Sequence, residues 1–396
     1  MIVIGLGAMG SMTACQAASR GASVVGIERF PLAHARGSSH GGSRIYRQIL
    51  FEGKEYVPLA RRSLDLVREL ERESGASLFA RSGGLVIGTH GGPLIEDALA
   101  SAVAGGVEFE QLEPDELRAR FPQHAAFDDD VAVYEPGAGA LRPEACITAA
   151  AEAAARAGAQ IRVETPVLAL RPGDAYVEVA TGDETLRAKT VVLASGAWGL
   201  DLLPGVELPL RTQRSCLAWF KARQDQGDYR PESFPVFVRE SRDLDGWGIP
   251  DVDGQGVKVG VGGTVQKRWL DRPEDNWEPP SAQDRKPTED FCRIAFPGLD
   301  PRVAHATACM NSKTPDGDFI IGHVGGSGRV VFAGGFSGHG FKHSPAVGLI
   351  CAQLALDGRT EFAIGKFAPN RFEDARRSTH SWAGRGCGSA GWRSAR

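Results

Sequence analysis

The stretch "SSHGGSRIYR" places His40, Arg44 and Arg47 in a loop rich in glycine and serine. A guanidinium is a planar fork of donors that suits a carboxylate, and such a loop can curl around a small ligand. Two lysines also stand beside glycines. In "GVKVGVGG", Val257, Val259 and Val261 alternate toward one face of a strand, with Lys258, Gly260 and Gly262 on the other. That leaves a cation beside a notch that a flat ring could fill. Lys342 follows "GFSGHGF", whose glycines let the backbone pass close to a ligand, and a cation there could balance developing negative charge. The bland alternatives are a solvated basic loop, an exposed strand lysine and a lysine at a helix start. The last is unattractive because helix N-termini disfavour cations. Cys309, in "ACMNSKTPDGDFIIG", has no cysteine or histidine near enough in sequence to suggest a metal site. It is either an idle buried thiol or a point of attachment.

Such groups need a scaffold, and the N-terminus supplies one. Residues Ile2 to Ile4 read as a short apolar strand, followed by Gly5-x-Gly7-x-x-Gly10. A small-residue helix, "SMTACQAASR", is stopped by Gly21, and "ASVVGIERF" is the next strand. Gly5 permits the tight turn, Gly7 lets the backbone approach a pyrophosphate, and Gly10 allows close helix–strand packing. Glu28 closes the second strand, where it can accept hydrogen bonds from ribose hydroxyls. The unit predicts dinucleotide binding, with a coincidental glycine turn as the alternative. Two later apolar strands end in glycines: "VVLASGAW" with Gly196, and "VVFAGGFSGHG" with Gly338 and Gly340. They favour FAD over NAD, since a long bent cofactor needs several backbone approaches at one sheet edge. Ordinary β-α turns remain the other reading.

The chain is expected to be α/β (α+β): a Rossmann-like FAD-binding domain with an interleaved antiparallel β-rich substrate domain. The first comprises residues 1–78, 140–211 and 306–375, and the second 79–139 and 212–305. Leu59, Leu66, Val67 and Leu70 recur at helical spacing between Tyr56 and Glu73, and "RPEACITAAAEAAARAG" is a helix ending at Gly158. Residues 376–396, rich in Gly, Ser and Arg without an apolar period, are expected to be disordered.

Composition narrows the function. A 396-residue chain that is 42% hydrophobic and 24% charged suits a globular protein with a large core. A net charge of −4 argues against nucleic acid as partner. No apolar run approaches the roughly 18 residues of a membrane span, so no membrane partner is expected. Seven scattered cysteines do not make a disulfide framework, and a reducing cytoplasm fits best.

Together "GLGAMGS", "GSSHGGSRIYR", "EYVPLARRS", "ACMNSKTPDGDFII" and "GFSGHGFKHSPAVG" resemble the monomeric sarcosine oxidase / N-methyl-L-tryptophan oxidase family, flavin amine oxidases of the D-amino-acid-oxidase-like superfamily. The resemblance spans roughly residues 1 to 375. It implies covalent FAD through a thioether at Cys309, a substrate carboxylate held by Arg47 and Lys342, and His40 and Arg44 beside the flavin ring. It further implies Lys258 over the flavin as the oxygen-activating cation, Trp247 as a pocket wall and Val167 among the cofactor contacts. Two positions depart from the family pattern: Gly262 stands where a histidine is expected, and Asn311 where a tyrosine is expected. These departures reshape the amine side of the pocket and leave the identity of the substrate open. The activity implied is oxidative N-demethylation of a small secondary amino acid by a monomeric enzyme, with oxygen as acceptor and hydrogen peroxide as product. A dehydrogenase passing electrons to a carrier and a flavin-binding protein with a decayed pocket are the alternatives. No metal site is implied.

Overall fold

The computed structural model describes residues 1–203, 205–224, 228–262 and 268–372. The expected disordered tail lies outside the described residues. A six-stranded sheet forms the nucleotide-binding half, in the order Ile320–Val324, Val330–Gly334, Val191–Leu193, Ile2–Ile4, Val25–Ile27, Gln160–Arg162. All neighbours in it are parallel except the edge strand Ile320–Val324, which runs antiparallel to Val330–Gly334. The central strands are apolar along their whole length because both faces are covered. Ile2–Ile4, Val191–Leu193 and Val330–Gly334 are buried at every position.

The helix Ala8–Ser19 follows the first strand at very close range. A Cβ added at Gly10 would lie 1.7 Å from the Gly5 carbonyl oxygen, so only glycine lets the helix start this near the strand. The same helix meets Ser344–Asp357, where a Cβ at Gly348 would stand 2.5 Å from that of Met12. The helix Val57–Ser74 buries Leu59, Leu66, Val67 and Leu70, as their spacing predicts, and ends at Gly75 in the left-handed conformation, φ 72°. Gln160–Arg162 closes the six-stranded sheet, and Ala169–Pro172, a few residues later, belongs to a small three-stranded sheet.

The other half is a nine-stranded sheet built mainly of antiparallel pairs, with one parallel pair between Val236–Ser241 and Gly84–Thr89. The expected boundaries at 211/212 and 305/306 fall at the ends of a single pairing here. His305–Lys313 runs antiparallel to Arg211–Phe220 from Arg211↔Lys313 to Trp219↔His305, so Cys309 belongs to this sheet. Hydrogen bonding across strands of such distant sequence was not readable from either strand alone. One face of the sheet packs on the helix Ala282–Ala295 through Phe237, Phe291 and Phe296. The other face turns toward the glycine-rich loops of the nucleotide-binding half.

Candidate active site

Register fixes which side chains share that second face. Gly246 faces the helix: its Cβ would meet Phe291 at 2.6 Å. Alternation therefore turns Asp245 and Trp247 the other way. Trp247 pairs with Gly260 and Ile249 with Lys258, and a Cβ at Gly260 would run into the Trp247 indole at 2.3 Å. Lys258 pairs with Trp219, and Cys309 with Ser215. Leu217, Trp219, Trp247 and Cys309 form one apolar cluster.

Lys258 is 1% exposed and its Nζ lies 5.7 Å and 5.9 Å from the ring centroids of Trp219 and Trp247. It donates to the carbonyl oxygens of Gly41, at 3.1 Å, and of Ser43. Burial first, and then the Arg44 charge, pushes its pKa well below the ordinary lysine value, while Cys309, Glu144 and Asp253 oppose that shift. The loop carrying those carbonyls is itself pinned: Gly41 and Gly42 donate their N–H groups to the Glu144 carboxylate at 2.6 Å and 3.1 Å. Both glycines have positive φ, 94° and 75°, which fits the double glycine of "SSHGGS".

Arg44 reaches from the same loop. It donates to Ser43 O at 2.7 Å and Ser38 O at 2.8 Å, and its Nη2 stands 3.8 Å from Cys309 Sγ. Burial pushes the Cys309 thiol up, but hydrogen bonding and charge from His40, with Arg44, more than offset it and bring the thiol down to about 7. Cys15, Cys146, Cys216, Cys292 and Cys351 are all raised instead, chiefly by burial. Reactivity follows the thiolate, so Cys309 is distinguished by its surroundings.

Arg47 and Lys342, 295 residues apart in sequence, converge on one carboxylate. Glu52 Oε1 lies 2.8 Å from Arg47 Nη2 and 3.3 Å from Lys342 Nζ. Burial opposes ionisation of Glu52, but Arg47, Lys342 and His339 hold its carboxyl well below the usual range. Lys342 is lowered to about 8 by burial and by Arg47, with Glu52 pulling the other way. Glu52 went unremarked in the sequence. The signal was available, because two buried cations imply a counter-charge, and an acid five positions from Arg47 is near enough to supply it.

The remaining candidates lie as follows. Glu28 is buried and accepts the N–H groups of Leu6 at 2.8 Å and Phe30 at 3.0 Å, beside the turn Gly5–Gly10. Val167 is half-buried in the loop after Gln160–Arg162, packed on the core beneath the six-stranded sheet. Gly196 follows the strand Val191–Leu193 at φ 57°. Gly338 has φ 96°, and a Cβ there would stand 3.7 Å from the Asn311 amide carbon. Gly340 is required by Phe336, which a Cβ would meet at 2.5 Å. Gly262 is not an open gap. The carboxylate oxygens of Asp245 lie 1.8 Å and 2.0 Å from where its Cβ would be.

The residues at this interface suit FAD. The helix Ala8–Ser19 begins at Gly7 with no side-chain cap, and a Cβ at Gly7 would meet only Ser39 Oγ, at 3.6 Å, so backbone amides and the positive helix end face a place where a phosphate can come close. A Cβ at Gly196 would meet nothing within 4 Å. His40 Nε2, Ser195 Oγ and Ser312 Oγ are buried without a hydrogen-bond partner, polar atoms that a ring and pyrophosphate could satisfy.

These features define a flavoprotein, and the chain belongs to the FAD dependent oxidoreductase family, whose model matches residues 1–354. It is an FAD-dependent oxidoreductase, and within that class it belongs to the monomeric sarcosine oxidase and N-methyl-L-tryptophan oxidase group. It is 38% identical to the monomeric sarcosine oxidase of Streptomyces avermitilis, over 95% of this chain and 98% of that protein. It is 32% identical to the N-methyl-L-tryptophan oxidase of Yersinia pestis, over 94% of this chain and 99% of the relative. Among solved structures, NikD, an unusual amino acid oxidase essential for nikkomycin biosynthesis, superposes with a TM-score of 0.81 at 25% identity, covering 93% and 96% of the two chains. The L-proline dehydrogenase of P. horikoshii shares the fold at a TM-score of 0.82 and 22% identity, over 94% and 97%.

Proposed function

We propose that this protein oxidises small N-alkyl α-amino acids at a carbon bonded to nitrogen, uses oxygen as acceptor, and holds its FAD covalently at Cys309. The observation that carries the reading is the meeting of buried Lys258 and Cys309, on one face of the nine-stranded sheet, with buried His40 and half-buried Arg44 from the glycine-rich loop that covers that face, beside the Arg47–Lys342 carboxylate clamp. The relatives named for oxidation of sarcosine and N-methyltryptophan support it.

FAD, when bound, supplies the two-electron acceptor for the substrate and passes those electrons on to oxygen. Gly5, Gly7, Gly10 and Glu28 would hold its nucleotide end, and Cys309 would hold its ring through a thioether that replaces one hydrogen of the 8α-methyl, the two electrons and two protons released going to oxygen. His40 and Arg44 promote that bond by keeping Sγ ionised near neutral pH. Arg47 and Lys342 take the substrate carboxylate by exchanging it for Glu52, a like-for-like swap that leaves neither cation unpaired. Cations around the site disfavour a protonated substrate nitrogen, so the amine is bound in its neutral, reactive form. Lys258 offers an ammonium group, already oriented by two carbonyls, to the negative charge that arises as oxygen is reduced. Water then hydrolyses the iminium product to the dealkylated amino acid and an aldehyde.

The test is to mix the purified protein with sarcosine and other N-methyl amino acids without oxygen, then admit oxygen. The expected result is loss of the yellow absorbance, followed by its return with one hydrogen peroxide per amine consumed. A protein that is bleached but recovers its colour only with an added electron carrier would be a dehydrogenase, and one that no amine bleaches would be a flavin-binding protein.

A further inference from the structure

Resting on the exchange of carboxylates at Arg47 and Lys342, we infer that Glu52 is the proton acceptor of the site: displaced by the substrate's acid group, it takes the proton of the substrate's ammonium and leaves the amine neutral. An N-alkyl amino acid near neutral pH is a zwitterion, and its nitrogen must lose one proton before the adjoining carbon can be oxidised. That nitrogen lies two bonds from the carboxylate carbon. When the carboxylate takes the place of Glu52 Oε1 between the two cations, the ammonium is brought beside the acid it has displaced.

The surroundings of Glu52 suit both of its forms. Paired with Arg47 at 2.8 Å and Lys342 at 3.3 Å it is held as an anion, although its side chain is only 7% exposed. Its other oxygen, Oε2, is buried and makes no hydrogen bond to another described residue. His339 Nδ1, also buried and without a hydrogen-bond partner, stands 3.9 Å from Oε1. His339 Nε2 lies 3.0 Å from the Gly317 carbonyl oxygen. A carbonyl only accepts, so Nε2 carries the hydrogen and Nδ1 of the neutral ring holds a lone pair. Burial, joined by the charges of Lys342 and Arg47, outweighs Glu52 and brings the His339 pKa down to about 4, so the ring is neutral. Nδ1 and an ionised Glu52 are thus two acceptors face to face, and no bond joins them. A protonated Glu52 is a donor, and His339 Nδ1 is its acceptor.

Displacement supplies the reason to take a proton. Arg47 and Lys342 then answer the substrate's acid, and the burial that already opposes ionisation of Glu52 favours its neutral form. The other titratable groups near it, Tyr56 and His343, add no cation: burial chiefly raises the first and lowers the second. The transfer breaks one N–H bond and forms one O–H bond at Glu52, moves no electrons to or from the substrate, and turns two buried charges into two neutral groups.

The experiment counts protons with methoxyacetate, which has oxygen in place of the sarcosine nitrogen and so brings a carboxylate without an ammonium. Calorimetric titration of the holoenzyme at about pH 6.5, in buffers of different ionisation enthalpy, should show uptake of about one proton per methoxyacetate bound, because Glu52 must draw its proton from water. Lys342, lowered to about 8, is already charged at that pH and adds little. A carboxylic acid carbonyl stretch should appear in the infrared difference spectrum. Glu52→Gln should bind methoxyacetate and lose both signals. With sarcosine and no oxygen, the second-order rate of flavin reduction in this variant should fall about tenfold for each pH unit below the pKa of the free amine, since only neutral amine is then productive, whereas the parent should stay level around neutral pH. Methoxyacetate binding without proton uptake by the parent, or uptake that persists in Glu52→Gln, overturns the assignment while leaving the oxidase reading intact. If the parent does not bind methoxyacetate at all, the carboxylate clamp fails, and this proposal fails with it.

Discussion

The Glu52 carboxylate lies 2.8 Å from the Arg47 guanidinium and accepts a second bond from Lys342 at 3.3 Å, so the clamp expected to grip a substrate acid already grips an internal one. Substrate binding is then an exchange of carboxylates, and its net gain is the difference between two similar interactions. Replacing Glu52 by Gln should tighten binding of simple carboxylates such as acetate by about 1–2 kcal/mol, or roughly 5- to 30-fold, because the competitor loses its charge. Titration below pH 7, followed by the change in flavin absorbance, checks this. Weaker binding in Glu52→Gln would mean that Glu52 organises the clamp rather than competing for it.

Lys342 carries a pH dependence. Its pKa is lowered from the ordinary lysine value to about 8, so its charge is full below that pH and is lost as pH rises through it. The folded value lies below the unfolded one, so the shift marks a strained cation, and its contribution to carboxylate binding is available on the acid side. KM is expected to rise above pH 8 by about tenfold once the ammonium is gone. Lys342→Arg, which stays protonated throughout, should move that limb to higher pH. An unchanged alkaline limb in the arginine variant would assign it to another group.

The sequence announced more of the scaffold than of the site. Gly5, Gly7, Gly10 and Glu28 are local signals: each does its work within one β-α-β unit, and spacing alone reveals it. Val257 to Gly262 alternate as a strand should, and this showed that Lys258 and Gly260 share a face before any partner strand was known. Long-range pairing was not legible. That His305–Lys313 zips along Arg211–Phe220 depends on hydrogen bonds between segments some 90 residues apart, and no local pattern encodes it. The same holds for Glu52 beneath Lys342 and for Asp245 over Gly262. In both cases the sequence shows an unbalanced charge or a missing side chain, and only the fold shows what answers it.

Cys309 differs from the other described cysteines in being lowered to about 7, whereas the others are pushed up by burial. The thiolate is the reactive form, so covalent incorporation of FAD into apoprotein should speed up as pH rises through about 7 and level off above it. Cys309→Ser should leave the yellow colour in the supernatant after acid precipitation, whereas the parent keeps it with the polypeptide. His40→Asn, which removes the ring that steadies the thiolate, should shift the profile to higher pH without abolishing attachment. Colour retained by the serine variant would place the attachment elsewhere.

Lys258 is held by the carbonyl of Gly41, and Gly41 is held by Glu144, so the position of one cation depends on a carboxylate that has no need to touch oxygen. Removing the cation and loosening its support should therefore differ in degree and not in kind. Lys258→Met should leave anaerobic reduction by substrate nearly intact and slow reoxidation by about 10²–10³-fold, the scale of losing one fixed electrostatic contact in a dry site. Glu144→Gln keeps an acceptor for one amide but loses the charge that binds both, and it should slow the same half-reaction by a smaller factor, about tenfold. It should also cost about 1–3 kcal/mol of stability, because the N–H groups of Gly41 and Gly42 lose a charged partner. Stopped-flow mixing of reduced enzyme with oxygen separates the two half-reactions. In the parent, reoxidation should slow as pH rises through the Lys258 pKa, which burial and Arg44 place well below the ordinary lysine value, and the methionine variant should show no such limb. A Glu144 variant that slows reduction and reoxidation alike would show that the loop supports the whole site. A Lys258 variant with an unaltered oxygen rate would remove the lysine from oxygen chemistry altogether.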